Sequence, residues 1–532
     1  MSTHPGASVN AIKSERFRRS NVILFRVAFI VLLAYCTIGA ALLLFDSVSM
    51  IPTQSDITYP EGAEAYLAIL GARTGKLDHS VSAPPYVIQA YGPLFYVMNV
   101  AVARASKLDI DATLRNSRAL TFGCFLLCGF MVFRISRTLQ FSAVESGLAG
   151  AMLLAQPAFL MWDTTMRSDV PALLGMLLCV YFAVGEDRLG QKRFVFSGIA
   201  AGVAFLVKQS AATAPAAVAV ALLSNRKNKP VLVLVASAAL PVAIMLAFLL
   251  WHREAFLGHF FALTTGTWSL GAAARWMLTR RAISMLPVPL IIGGTGFFAA
   301  MQAGQRPRII AWFALMSLVA GLATIPQVGG DVNYFLPVLA GSSLLLPFAM
   351  QTVKRTLSGS LPIAMLAVAV PLAGAVVDVG VWQRYRPNLG RTHLPYGLLS
   401  PLSVLSDKPY VAMHAHNPGM LDPFTSHDFE LKGRSDPAPV IAMIERGQYD
   451  LVILSSGRVI RSYRGISYFG TPIVNALNED YQVFCETPNA LILKPRSREI
   501  PISAAAVSTI FGRCATANRG AAPDLSLAKA AR

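Results

Sequence analysis

The chain has 532 residues, of which 54% are hydrophobic and only 14% are charged, and its mean hydropathy is +0.53. A soluble domain usually carries about 25% charged residues, so this composition excludes a single soluble globular domain. The formal net charge of +18 is typical of Lys and Arg gathered in cytoplasmic loops. That charge also favours contact with anionic membrane lipids, and no basic soluble face indicates a nucleic-acid partner.

The chain begins with a polar, basic tail, residues 1–20, which we place in the cytoplasm. An all-α polytopic transmembrane domain is predicted over residues 21–381, with about 11 helices each long enough to cross a bilayer core of about 30 Å. The first span leads into a long outer loop, residues 46–118. Inside it, residues 61–75 have helical spacing, and the apolar residues 86–105 are interpreted as a helix on the membrane surface.

The spans follow one another with basic inside loops. They are predicted at residues 21–45, 119–133, 143–161, 170–184, 194–207, 211–223, 230–251, 286–302, 309–325, 334–350 and 361–381. Lys208 interrupts a pair of short apolar segments. Because both distal ends of that pair are basic, Lys208 is predicted at the extracytoplasmic side.

Polar residues return after the last span, and residues 382–502 are predicted to form a small extracytoplasmic α/β domain. Strands are predicted at residues 410–413, 450–454, 481–484 and 490–494, and helices at residues 439–448 and 471–478. Residues 503–532 are rich in Ala, Ser and Gly and are predicted to be disordered. A disulfide between Cys485 and Cys514 stays open, since it depends on an oxidising compartment.

Ionisable and polar side chains from four segments converge on the predicted outer face. They are Asp56, Glu61 and Glu64 of the first outer loop, Asp163, Arg167 and Asp169 of the second, Lys208 of the hinge, and Asp331, Asn333 and Tyr334 of a later loop. Such groups at membrane depth are expensive and mark functional sites.

This set fits transfer from a phosphorylated lipid. A carboxylate would deprotonate an acceptor hydroxyl, and Arg and Lys would stabilise the phosphate. Glu61 is the first choice for the base, because it begins the helical segment, and Asp56 is the second. Plainer interpretations stay open: solvated carboxylates, a structural Arg167–Asp169 ion pair, and a Lys208 that snorkels to the interface.

Six segments resemble the GT-C superfamily of polytopic membrane glycosyltransferases, which includes protein O-mannosyltransferases, the aminoarabinose lipid A transferase and the RgtA/B/C/D-like proteins. They are YPEGAEAYLAILGARTGKL, AYGPLFYVMNVAVARA, RALTFG, WDTTMRSDVPALL, FLVKQSAATAPAA and GGDVNYFLPVLAG. The resemblance implies inverting transfer of a sugar from a polyprenyl-phosphate donor to a lipid, polysaccharide or protein acceptor. The site would lie at the extracytoplasmic face of the inner membrane.

The resemblance also implies roles for individual residues. A first-loop acid, Glu61 or Asp56, would be catalytic. The groups expected at the carrier phosphate and substrate are Arg167, Asp169, Lys208, Tyr91, Asn333 and Tyr334. Some GT-C enzymes use a divalent metal, but the first loop has no Asp-x-Asp pair, so no metal ligand is assigned and the cofactor stays open. The alternative functions are a transporter or flippase of lipid-linked substrates, which would favour internal repeats and midplane charges, and a non-catalytic assembly factor.

Overall fold

The computed structural model is mainly helical, with a small sheet near the C-terminus. It describes residues 6–59, 61–77, 86–89, 91–185, 189–251, 269–278, 285–327, 330–356, 395–416, 421–433, 435–455, 458–460, 462–463, 466–488, 490–514 and 523–527. The span predicted at residues 361–381 lies outside these ranges, so the predicted count of about 11 spans stays a prediction.

Among the described residues before residue 395, the structure has thirteen α-helices. They are α1 (Gly6–Met50), α2 (Glu61–Thr74), α3 (Pro93–Ala105), α4 (Ile110–Thr138), α5 (Ala143–Leu154), α6 (Asp169–Val184), α7 (Lys192–Val207), α8 (Thr213–Leu223), α9 (Asn228–Trp251), α10 (Leu270–Met277), α11 (Pro287–Gln302), α12 (Gln305–Thr324) and α13 (Leu336–Thr356).

Five segments among the described residues are long and apolar enough to cross a membrane. They are Phe29–Met50, Ile110–Thr138, Asn228–Trp251, Gln305–Thr324 and Val332–Arg355. Helix α9 leaves large apolar side chains such as Leu232 and Trp251 exposed, as expected for a helix that faces lipid. Small residues bring neighbouring helices close: a Cβ on Gly150 of α5 would lie 2.8 Å from the carbonyl oxygen of Gly129 in α4.

The connection between α1 and α4 contains two buried helices, α2 and α3. The helix predicted from residue 61 is confirmed as α2. Helix α3 begins only at Pro93, whose fixed φ suits the first helical turn. Just before it, the Gly92 amide donates to the carbonyl of Val207 at 3.0 Å. A Cβ on Gly92 would lie 2.0 Å from the Leu206 carbonyl oxygen, so only glycine allows this approach of the loop to the end of α7.

The described strands of the C-terminal domain are β1 (Val404–Ser406), β2 (Leu451–Leu454), β3 (Val459–Ile460), β4 (Ser462–Tyr463), β5 (Ile466–Ser467), β6 (Tyr481–Thr487), β7 (Ala490–Pro495) and β8 (Ser526–Leu527). Four of them form one sheet with strand order β1-β2-β7-β6. Strand β1 pairs parallel with β2, and β7 pairs antiparallel with both β2 and β6. The helices are α14 (Pro409–Met413), α15 (Pro423–Leu431), α16 (Ala438–Glu445), α17 (Thr471–Asp480) and α18 (Ala504–Phe511).

Two predictions for this domain are wrong. Residues 410–413 form helix α14 rather than a strand, because Pro409 occupies the first helical turn and all four side chains are buried together. The predicted disordered tail includes helix α18, which is capped by the Ser503 side chain. A disulfide joins Cys485 of β6 to Cys514 beyond α18 and ties this segment to the sheet.

Candidate active site

Helix α2 begins at Glu61, whose carboxylate accepts hydrogen bonds from four donors and holds this end of the helix in place. Glu61 and Arg118 of α4 are both fully buried and form a bidentate pair, with Nε–Oε1 at 2.8 Å and Nη2–Oε2 at 2.6 Å. The amides of Met166 and Ile57 donate to the same two oxygens at 2.9 and 3.0 Å. Four donors therefore occupy the Glu61 carboxylate, and no oxygen is left for a substrate hydroxyl.

Asp56, the second predicted base, lies between the first loop and the C-terminal domain. Its Oδ1 accepts from the Gly62 amide at 2.6 Å and its Oδ2 from the Tyr410 amide at 3.2 Å. Burial raises the pKa of Asp56 to about 6, the nearby charge of Glu61 adds to this, and the two amide donors oppose it. Asp56 thus holds helix α14 against the first turn of α2.

Two cations and an amide gather around a single buried carboxylate. Oδ1 of Asp169, at the start of α6, accepts from Lys208 Nζ and, at 2.8 Å, from Asn333 Nδ2. Arg167 Nε lies 3.5 Å from Asp169 Oδ2, and its Nη1 donates to the Tyr59 carbonyl at 2.6 Å. Two separate segments thus bring positive charge, and a third brings a neutral amide, to one point beside the first loop.

Aromatic rings line this charged group. The guanidinium of Arg167 lies 4.6 Å from the Trp162 ring centroid and 5.7 Å from that of Tyr91. Lys208 Nζ lies 4.6 Å from the centroid of the Tyr334 ring. Such contacts hold cations in place without neutralising them, which leaves their charge available to an anionic ligand.

The C-terminal domain covers the first loop beside these groups. The Phe424 amide donates to the Tyr59 hydroxyl at 2.9 Å, and the Tyr59 ring packs at 5.0 Å from that of Tyr468. The Tyr410 hydroxyl donates to Asp111 at the start of α4. Arg167 belongs to the cation group, which comprises Arg167, Lys208, Asp169 and Asn333, and it donates to the carbonyl of Tyr59. The cation group and the C-terminal domain therefore contact the same residue of the first loop.

Comparison with known proteins identifies the fold of this chain. The sequence profile of the family described as dolichyl-phosphate-mannose-protein mannosyltransferase matches residues 110–251. The crystal structure of ArnT from Cupriavidus metallidurans bound to undecaprenyl phosphate is similar, with a TM-score of 0.57 and 14% identity over 88% of this chain and 99% of that chain. The chain has the GT-C fold.

Other comparisons agree with the GT-C fold. The apo form of the same ArnT gives a TM-score of 0.59 and 13% identity over 87% of this chain and 98% of that chain. The apo oligosaccharyltransferase of Archaeoglobus fulgidus gives 0.50 and 11% identity, over 90% and 77%. No curated protein matches. The resemblance inferred from the sequence is confirmed, and the chain is a multi-pass membrane protein.

Within this GT-C fold, five of the residues selected from the sequence lie close together. Glu61 bonds the Met166 amide, directly before Arg167, and Arg167, Lys208 and Asn333 meet at Asp169. The sequence analysis missed the partner of Glu61, Arg118, because this arginine follows Arg115, Asn116 and Ser117 in the polar first part of α4 and does not stand out there.

No metal site is evident in the described part of the chain. None of its His, Cys, Asp and Glu side chains form a group of three placed to hold an ion. The metal question from the sequence therefore stays open.

Proposed function

We propose that this protein is an integral membrane glycosyltransferase that moves a sugar from a polyprenyl-phosphate donor to a lipid, polysaccharide or protein acceptor. The GT-C fold supports the class of enzyme, and it favours an enzyme over the transporter alternative. ArnT, which shares the fold, was crystallised with undecaprenyl phosphate, and this supports a donor with a long isoprenoid chain. The observation that carries the proposal is the meeting of Arg167, Lys208 and Asp169 beside the first-loop carboxyls.

The cation group suits a lipid phosphate. Asp169 offers one negative charge to two cations, so the group keeps a net positive charge before a ligand arrives. A donor phosphate would bind Arg167 and Lys208, and the Asn333 amide would hold Asp169 in place. When the sugar leaves, the same cations stabilise the charge that develops on the phosphate. Tyr91 and Tyr334 flank the cations and would shield the phosphate from water.

Base chemistry falls to the first outer loop. In an inverting transfer, the acceptor hydroxyl loses its proton as its oxygen attacks the anomeric carbon, so a carboxylate must lie on the acceptor side. Three acids of the loop, Asp56, Glu61 and Glu64, lie in the first turn of α2 or close before it. Contact between this loop and the C-terminal domain supports an acceptor that reaches the site beneath that domain.

The site is proposed to open on the extracytoplasmic side of the inner membrane, with the N-terminus in the cytoplasm. The Cys485–Cys514 disulfide supports this orientation, because such bonds persist in oxidising compartments. The basic N-terminal tail supports it as well.

A purified-protein assay tests the proposal. Protein in lipid nanodiscs is incubated with labelled polyprenyl-phosphate sugars and an envelope extract, and transfer of label is followed. We expect turnover, and we expect Lys208→Met to lower it at least about 100-fold, since a lost charge contact to a transition-state phosphate costs about 3 kcal/mol. Lys192→Met is the matched control, since Lys192 is exposed at the opposite end of the same helix. Binding of the donor without any turnover, by a protein that melts normally, would refute the enzyme.

A further inference from the structure

Helix α2 presents a second buried acid one turn beyond Glu61. Glu64 is 1% exposed, and residues three apart lie on the same helical face. The two carboxyls differ in their partners. Four donors occupy Glu61, whereas Oε2 of Glu64 has no hydrogen-bond partner. A buried polar atom with no partner is costly, so its retention calls for an explanation.

Two tyrosines and one arginine face Glu64. The Tyr96 hydroxyl forms a hydrogen bond with the Glu64 carboxyl, and the charge of Arg167 acts on it as well. The Tyr91 amide donates to the Tyr96 hydroxyl oxygen at 3.3 Å, which directs the hydroxyl proton towards Glu64. The Tyr91 ring centroid lies 5.7 Å from the Arg167 guanidinium. Burial raises the pKa of the Tyr91 hydroxyl, the charge of Arg167 opposes this, and the charge of Glu64 adds to it.

We propose that Glu64 is the catalytic base, with its free Oε2 receiving the proton of the acceptor hydroxyl. This rests on the proposed function. The acceptor gives its proton to Oε2 as its oxygen bonds to the anomeric carbon of the sugar. The bond from that carbon to the phosphate oxygen breaks, and its electron pair leaves on the phosphate, where Arg167 and Lys208 balance the charge. The proton passes to water as the products leave.

The environment of Glu64 suits this role better than those of the neighbouring acids. Both oxygens of Asp56 hold backbone amides at the domain contact. Asp163 accepts from Ser47 and lies within hydrogen-bond distance of Thr164. Burial raises the pKa of Glu64 to about 8, against the opposing effects of Tyr96 and Arg167. A carboxylate with a raised pKa is a stronger base, and the Tyr96 hydrogen bond fixes its orientation.

A single-site series tests this assignment with the labelled donor and extract described above. We expect Glu64→Gln to lower kcat by about 10²- to 10⁴-fold, the usual contribution of a general base, and to leave binding of undecaprenyl phosphate, the probe for the cation group, unchanged. Glu64→Asp should recover part of the rate. Glu479→Gln, at an exposed acid of α17, is the matched control. A Glu64→Gln enzyme with normal kcat would overturn the proposal, while wild-type turnover would still uphold the transferase.

The pH dependence of the wild-type protein provides a test that does not require a folded variant. Because Glu64 must be ionised to accept a proton, kcat/KM should rise with pH, with the midpoint of the rise near pH 8. A midpoint near pH 6 would match Asp56 instead and would refute the role of Glu64. No turnover at any pH would contradict the proposed function itself.

Discussion

Replacing Glu61 with glutamine tests whether Glu61 anchors helix α2 or acts as the catalytic base. The sequence alone predicts that Glu61→Gln abolishes transfer and leaves the protein folded, as befits a base. The structure leads to a different expectation. Whichever oxygen becomes an NH₂ group, it would face one guanidinium donor of Arg118 and one backbone amide, from Met166 or Ile57.

The magnitude follows from those contacts. Two buried donors lose their acceptor, at about 1–3 kcal/mol each, and the Arg118 charge is left without its counter-charge. Both side chains of the pair are fully buried, so solvent screens nothing, and breaking such a pair usually costs about 3–5 kcal/mol. We therefore expect Glu61→Gln to lower the melting temperature of the protein by several degrees and to lower its yield in membranes.

The measurement is thermal unfolding of the purified protein in detergent, with size-exclusion chromatography used to monitor the loss of folded protein. The double variant Glu61→Leu with Arg118→Met is the matched control, because an apolar pair leaves no charge unpaired and should be more stable than either single variant. A Glu61→Gln protein that melts like the wild type but has lost transfer would refute the anchor role and restore Glu61 as the base.

Two further predictions concern the C-terminal domain. Gly62→Ala should weaken the contact of this domain with α2 by about 1–3 kcal/mol, because the new Cβ would lie 2.3 Å from the Tyr410 amide nitrogen. Limited proteolysis should therefore cleave the variant faster than the wild type. Gly123→Ala is the control and should be cleaved at the wild-type rate, because a Cβ at that position has nothing within 4 Å. Cys485→Ser should destabilise the domain by about 2–4 kcal/mol, seen as a lower melting temperature that reductant reproduces in the wild type; an unchanged melting temperature would mean that the disulfide has no stabilising role.

The sequence carries the architecture well, because its signals are local. Apolar runs of bilayer length and the helical spacing after residue 60 need no knowledge of distant partners. The strands at β2, β6 and β7 follow from short β-branched and aromatic runs. Residues 410–413 read as a strand for the same reason, and only Pro409 and burial against α2 turn them into a helix.

For the candidate site, the sequence identifies the residues but not the role of each one. Its members could be named, since charged residues in an apolar chain are few and stand out. Their roles could not, since a role depends on contacts far along the chain. Glu61 is 57 residues from Arg118 and 105 from Met166. From sequence, an acid at the start of a helix has the same pattern whether it binds a substrate or an arginine.

The two acids of α2 suggest why the loop keeps both. A base must be held within a fraction of an ångström of its working position, and a loop between two spans offers no such rigidity by itself. Arg118 supplies it, since the same guanidinium that binds Glu61 also donates to the carbonyls of Thr53 and Ser55. That clamp fixes the first turn of α2, and the next turn places Glu64 against Tyr96 and Arg167. On this account, loss of Arg118 and loss of Glu64 both lower the rate of transfer strongly, but only the first lowers the melting temperature markedly.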